Sequence, residues 1–335
     1  MRPRRSVGSV TDVCDLLIIG AGPAGLYGAY YAGFRGFSTI VLDTLPEPGG
    51  QITAMYPEKD IFDVGGFPVV KGRTLVEALL EQAAAGSPRY VLGEQAVDLR
   101  TSEEGPVWVT TATGRVIEAK AVILTGGIGS FTPRPIPVGE EWIGRGAAYF
   151  VPKLAEYADR DVVIVGGGDS AFDWAWSLQP LARSVTIVHR REEFRAHSGM
   201  VEKVRDLGVR FLTSSELDAV RGADWVAEVD VRHKVSGEVT TLPTTTVVAA
   251  LGFIANIGPI AEWGVELSKR RVVVDAAMRS NLPRVLAAGD LATYPGKVPL
   301  IAVGFGEVAT AVNNAAPLVD AKLGVFPGHS SGESS

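Results

Sequence analysis

Two segments of this 335-residue chain repeat one arrangement at one spacing. Asp15-Leu16-Leu17-Ile18-Ile19 runs into Gly20-Ala21-Gly22-Pro23-Ala24-Gly25, and the twenty-third residue after Gly20 is Asp43, which closes the next apolar stretch. Asp161-Val162-Val163-Ile164-Val165 runs into Gly166-Gly167-Gly168-Asp169-Ser170-Ala171, and the twenty-third residue after Gly166 is His189, followed by Arg190 and Arg191. With 39 glycines in the chain, a bare glycine pattern would say little. Each pattern here lies between an apolar strand and an amphipathic helix, which commits it to a parallel strand–turn–helix unit. The expected fold is α/β, with two Rossmann-like domains.

Such a turn needs glycine for tightness, for admitting a pyrophosphate to the backbone, and for packing helix against strand. The helix N-terminus then offers N–H groups and a partial positive charge to phosphates. At the end of the second strand a carboxylate accepts hydrogen bonds from ribose hydroxyls, so Asp43 suits an ADP moiety without a 2′-phosphate. FAD and NAD both qualify. At the second site Arg190, Arg191 and Arg195 suit a 2′-phosphate through charge-assisted hydrogen bonds. Two such contacts at about 1.5 kcal/mol each favour NADPH over NADH on the order of a hundredfold.

Composition narrows the class. At 46% hydrophobic and 21% charged residues, the chain can build two domains with real cores. Apolar runs such as Ala121–Leu124 and Val247–Leu251 are strand-length, short of the roughly 18 residues that cross a bilayer. The basic start, Met1 to Arg5, is not followed by a signal-peptide apolar region, so a cytoplasmic protein without membrane association is expected. The net charge of −6 argues against nucleic acid as a partner. Cys14 is the single cysteine, which rules out an internal disulfide or a CxxC redox pair, and no His/Cys/carboxylate set has metal-ligand spacing.

The first unit leads to Ala121-Val122-Ile123-Leu124-Thr125-Gly126-Gly127, and a crossing with Pro133, Pro135 and Pro137 follows. The second unit closes on Val247-Val248-Ala249-Ala250-Leu251-Gly252. Arg284-Val285-Leu286-Ala287-Ala288-Gly289-Asp290 then reads as a strand ending on an acid beside a cofactor. The expected organisation is a discontinuous first domain, residues 1–127 and 255–335, with the second domain, 128–254, inserted into it. Val303-Gly304-Phe305-Gly306-Glu307 reads as a helix N-terminus packed closely on a ligand or strand, without a ribose reader behind it.

Gly20–Gly25, Gly49-Gly50-Gln51, Gly168-Asp169-Ser170, His189-Arg190-Arg191, Phe194-Arg195-Ala196-His197 and Ala288-Gly289-Asp290 stand together with longer strings. These are Gln51-Ile52-Thr53-Ala54-Met55-Tyr56-Pro57-Glu58-Lys59 and Tyr294-Pro295-Gly296-Lys297. On these residues the chain resembles the ferredoxin/flavodoxin–NADP⁺ reductases of the thioredoxin-reductase-like type, over about residues 12–331. The resemblance implies FAD in the first unit, on Gly20, Gly22, Pro23, Ala24, Gly25 and Gly50, with Asp43 at the adenosine ribose. It implies Gln51, Val97 and Phe131 lining the flavin site, Tyr56 stacked on the isoalloxazine, and Asp290 at the ribityl–pyrophosphate portion. A C-terminal tail would reach the flavin of a second subunit, with His329 over its open face and Ser331 near N5, which implies a homodimer. NADPH would occupy Gly166, Gly168, Asp169, Ser170, Ala171, His189, Arg190, Arg191 and Arg195. Two departures stand out. Asp43 replaces the glutamate common in relatives, and His197-Ser198 stands where His-Glu is frequent.

One cysteine cannot form the disulfide through which a thioredoxin or glutathione reductase passes electrons. An external acceptor is therefore required, with the flavin supplying the chemistry and the protein its position and electrostatics. No general acid or base is expected. The resemblance names ferredoxin or flavodoxin as acceptor. Arg2, Arg4, Arg5, Lys153, Lys269, Arg270 and Arg271 are candidate docking cations on a net acidic protein. Alternatives are an NADPH-dependent quinone, diaphorase-type or oxygen reductase, and a redox-sensing flavoprotein.

Overall fold

The computed structural model describes residues 12–328. The chain opens with β1 (Asp12–Ile19), α1 (Pro23–Phe34) and β2 (Thr39–Asp43), followed by the short α2 (Gln51–Met55) and α3 (Gly72–Ala84). Four strands come next: β3 (Arg89–Leu92), β4 (Ala96–Arg100), β5 (Val107–Thr111) and β6 (Val116–Leu124). The second half of β1, Leu16–Ile19, and β2 from Thr39 to Leu42 are buried throughout, so both faces of the sheet are covered there.

A second series begins with β7 (Ser130–Pro133) and β8 (Ala147–Ala148) and reaches β9 (Asp161–Val165) and α4 (Asp169–Leu178). It continues through β10 (Ser184–Val188), α5 (Ser198–Asp206), β11 (Arg210–Leu212), β12 (Ser215–Gly222), β13 (Val226–His233), β14 (Val239–Pro243) and β15 (Thr246–Ala249). The chain returns through β16 (Phe253–Asn256), β17 (Val285–Ala287) and α6 (Ile301–Val319).

The chain forms two compact units. One holds the described residues up to Ala54, Asp60–Ser130 and those from Ala255 onward; the other holds Phe131–Ile254 together with Met55–Lys59. β7 and β16, where the chain leaves and returns, pair with each other.

The first unit is built on the order β3-β2-β1-β6-β5-β4. β6 is long enough to serve two partners on one side. Its first half pairs antiparallel with β5 and its last three residues pair parallel with β17. The returning chain is thus delivered beside the ends of β1 and β6, which is where an open parallel sheet binds ligands. The core runs through Leu16, Leu17, Val122, Ile123, Leu286, Val308 and Val312. Helix α1 presents Gly25, Gly28, Ala29 and Ala32 inward, and these small residues let other elements approach closely. A Cβ on Gly28 would lie 2.6 Å from Val308 Cγ2 of α6, and one on Gly33 would lie 2.4 Å from the Cα of Gly86, just past α3.

The second unit has a five-stranded parallel sheet, β8-β15-β9-β10-β11, and a three-stranded antiparallel sheet, β12-β13-β14. Phe172, Trp174, Ile164 and Val248 anchor the core on one side of the parallel sheet, and Val163, Val165, Val229 and Val247 anchor a second cluster.

Gly33→Ala forces a methyl into backbone and is expected to destabilise the protein by about 1–3 kcal/mol. A denaturant titration followed by circular dichroism measures this, and an unchanged midpoint would contradict the packing described.

Candidate functional site

Two glycine loops close the parallel strands, and their backbone contacts correspond. A Cβ on Gly20 would sit 2.5 Å from the carbonyl oxygen of Thr125, just past β6; a Cβ on Gly166 would sit 2.3 Å from that of Ala250, just past β15. In both loops the first glycine is pressed against a neighbouring strand end, and only hydrogen fits. At the second glycine the situation reverses: a Cβ on Gly22 or Gly168 would meet nothing within 4 Å. Gly22 and Gly168 are also the N-caps of α1 and α4, and neither supplies a side-chain acceptor. Each loop therefore leaves open space beside first-turn N–H groups that no side chain caps, the requirement for a pyrophosphate. The third position differs. A Cβ on Gly25 would lie 1.8 Å from the Gly20 carbonyl, whereas Ala171 keeps its methyl.

Around the first loop the chain gathers residues from four places. Asp43 Oδ2 accepts the N–H of Ala21 at 2.5 Å and Oδ1 accepts that of Leu45 at 2.8 Å. Burial pushes the Asp43 carboxyl up, and the N–H groups of Ala21, Leu45 and Thr44 oppose that rise. Gly49 N–H reaches the Ala21 carbonyl at 2.8 Å, and Gly50 stands so close that its Cβ would fall 2.9 Å from Gly22 Cα. Gln51 begins α2, and its Nε2 would touch a Cβ placed on Gly127 at 3.2 Å. Gly289, beside Asp290, faces Ala24 at 3.2 Å from its would-be Cβ.

Pro23 opens α1, where its missing N–H costs nothing. Thr125 was not singled out by the sequence reading. It is buried, and its hydroxyl donates to the Gly20 carbonyl at 2.8 Å. The only sequence sign was its position between an apolar strand and Gly126-Gly127.

The remaining expected flavin-site residues have the following contacts. Tyr56 belongs to the second unit, packed against the core that contains Phe172, and Lys59 of the same segment pairs with Asp173 at 2.5 Å. Phe131 also groups with the second unit, edge-on to Phe253. Val97 is exposed on β4, and its carbonyl accepts the indole N–H of Trp263 at 3.3 Å. His329 and Ser331 lie outside the described residues.

At the second loop, Arg195 and Ala196 donate their N–H groups to the Gly167 carbonyl at 2.8 and 3.3 Å, and Asp169 Oδ1 accepts the N–H of His197 at 3.0 Å. Asp169 and Ser170 form the first turn of α4. His189 packs the loop instead of projecting from it. A Cβ on Gly167 would lie 2.3 Å from its Nδ1, and its Nε2–H points to the Glu193 carbonyl at 3.2 Å. Burial, then the charges of Arg191, Arg190 and Arg195, hold the His189 imidazole below its ordinary value. Arg190, Arg191 and Arg195 are exposed, and among the described residues none of the three has an acidic partner. The neighbouring Glu192 and Glu193 do not neutralise them.

Two glycine loops on separate sheets, one faced by a half-buried carboxylate and the other by arginines without acidic partners, define a pyridine-nucleotide flavoprotein. The family model for pyridine nucleotide-disulphide oxidoreductases matches residues 14–315. The chain is 57% identical to a ferredoxin–NADP reductase of Frankia alni, over 95% of this chain and 99% of that one. It is 58% identical to one of a Nocardioides species, over 95% and 96%. The crystal structure of T. acidophilum thioredoxin reductase matches at 25% identity with a TM-score of 0.76, covering 90% of this chain and 97% of that one. The chain belongs to the pyridine nucleotide-disulphide oxidoreductase family, and within it to the ferredoxin–NADP reductases.

The depressed His189 pKa fixes a pH dependence. The unfolded chain takes up this proton near 6.5 while the native ring resists it, so native stability falls as pH drops below 6.5 and levels off beneath the native pKa. Thermal melts between about pH 5 and 8 should show this fall. His189→Gln should flatten that part of the profile.

Proposed function

We propose that the protein is an FAD-dependent reductase that moves electrons between NADP(H) and ferredoxin or flavodoxin. The observation that carries this reading is the contrast between the two loops, Asp43 at one and three unpaired arginines at the other, in a chain with no second cysteine. FAD is held at the first loop by Gly20, Gly22, Pro23, Ala24, Gly25 and Gly50, with Asp43 on the adenosine ribose and Asp290 at the ribityl–pyrophosphate portion. Gln51 and Val97, both of the same unit, line the flavin. NADPH is held by Gly166, Gly168, Asp169, Ser170 and Ala171, with Arg190, Arg191 and Arg195 on its 2′-phosphate. His189 keeps the loop beside them in shape.

When bound, the flavin supplies the exchange between hydride chemistry and single-electron transfer. The chain's own tasks are to bind and orient both dinucleotides. Cys14 takes no part. It is 4% exposed, and burial pushes its thiol up to about 12, so it offers no thiolate.

An acidic carrier protein needs a basic docking point. Lys269 and Arg270 form the exposed tip of a tight hairpin, both in the left-handed region, and Arg271 follows. Lys153 is exposed but lies 3.7 Å from Glu156, which weakens its claim. Arg2, Arg4 and Arg5 lie outside the described residues. A homodimer is favoured by the half-exposed aromatic face of α1, where Tyr31 stacks on Phe34 and Tyr27 meets Phe305 of α6. Among the described residues no helix is long and apolar enough to cross a membrane, and we place the enzyme in the cytoplasm.

Anaerobic mixing of the holoprotein with NADPH or NADH, followed by ferredoxin, a dye or oxygen, tests the reading. Fast bleaching by NADPH with rapid recovery on ferredoxin is expected; recovery only with quinone or oxygen would move the function to a small-molecule reductase. Arg190→Ala/Arg191→Ala should raise KM for NADPH about 10- to 100-fold while leaving that for NADH nearly unchanged. Rising salt should slow ferredoxin reduction more than reduction of a small neutral dye, and equal slowing would remove the docking argument.

A further inference from the structure

One buried charged cluster lies outside the groups assigned above. Glu307, one turn beyond the N-terminal turn of α6, and Lys297, in the preceding loop, form an ion pair with side chains only 4% and 3% exposed. The carboxylate is fully engaged. Its Oε1 accepts the phenolic O–H of Tyr294 at 2.6 Å and the ammonium of Lys297, and its Oε2 accepts the backbone N–H of Gly289 at 2.8 Å. The Tyr294 phenol is pushed up to about 12, chiefly by this hydrogen bond, so it stays a donor throughout the physiological range.

Gly289 has φ +74° and starts the short turn Gly289–Leu291 that carries Asp290. It is wedged where three segments converge. Its would-be Cβ lies 3.2 Å from Ala24 Cβ in the first glycine loop, and a Cβ on Gly304 of α6 would lie 3.3 Å from Gly289 Cα and 3.7 Å from Ala24 Cβ. A left-handed backbone in so tight a place is held by whatever satisfies its N–H, and here that is Glu307. A hydroxyl or amide oxygen could not take three donors of which one is an ammonium; a carboxylate can.

We propose that Glu307 is a positioning residue for the FAD site. It fixes the Gly289 turn and so sets Asp290 against the first glycine loop, while Lys297 and Tyr294 neutralise and orient the carboxylate. The proposal rests on the reading that Asp290 contacts bound FAD. Removing one partner of a buried pair leaves an uncompensated charge, so the informative variants change both. Glu307→Met/Lys297→Met removes the pair and the acceptor for Gly289. Glu307→Gln/Lys297→Met removes the charges but keeps that acceptor.

The experiment is FAD release from the full-length holoprotein on dilution, followed by the rise in flavin fluorescence, with NADPH binding recorded on each variant to report an intact chain. Glu307→Met/Lys297→Met is expected to release FAD about tenfold faster than the native protein. Glu307→Gln/Lys297→Met is expected to stay within about threefold of native, a rescue that a merely structural charge pair would not give. Native release from the Met/Met variant, or equal acceleration in both variants, overturns the proposal. If the Met/Met variant does not fold, Gly289→Ala serves in its place, with faster release expected and native release overturning it. Asp290→Ala separates the layers. If it accelerates release while Glu307→Met/Lys297→Met does not, this proposal alone fails; if it leaves release unchanged, the assignment of Asp290 fails and takes the proposal with it.

Discussion

The structure depends on one steric constraint, the contact between a loop glycine and the carbonyl at the end of an adjacent parallel strand. Gly20 meets Thr125 and Gly166 meets Ala250 at separations no side chain could share. Each contact fixes where the first strand stops and where the following helix begins, and hence which N–H groups are left facing open space. The lateral elements then add chemistry to a position already set. Asp43 and Thr125 brace the first loop through hydrogen bonds to Ala21 and Gly20, and His189 braces the second by filling the space under Gly167.

The two sites differ in how they treat charge. Asp43 is drawn into the structure, tied to two backbone N–H groups and destabilised as an anion by its own burial. On the proposed reading, such a group belongs to the wall of the FAD site. Among the described residues Arg190, Arg191 and Arg195 stand in solvent without acidic partners, and on the proposed reading their water gives way to the 2′-phosphate of NADPH. That arrangement suits a substrate that must bind and leave on every turnover. On that reading, the difference between a resident and an exchanging cofactor is expressed in burial as much as in residue type.

Much of the fold was legible because its signals are local and periodic. An apolar strand and a glycine turn require no knowledge of distant contacts, and both loops, the strand ends at Asp43 and Val188, and the returning strand at Val285–Ala287 could be placed from them. The tightly packed helix start at Gly304 was legible for the same reason, since it faces Gly289 and Ala24. Tertiary partnership was less visible. Sequence could not show that residues 55–59, lying within the first half of the chain, group with the second unit, because that depends on Tyr56 finding the Phe172 core. It also could not show that His189 turns under Gly167, or that Glu307 is a buried acceptor of three donors, since each outcome is decided by neighbours far along the chain.

The solitary Cys14 has a further consequence. Its side chain, on β1, is enclosed in the core of the first unit and carries no charge at physiological pH. Enzymes of this fold that work through a dithiol share the fate of cellular thiols, and alkylating agents, soft metals or peroxide can silence them. This chain presents no such target. Its single thiol is buried, so its own redox chemistry does not pass through a cysteine pair whose state follows that of its surroundings.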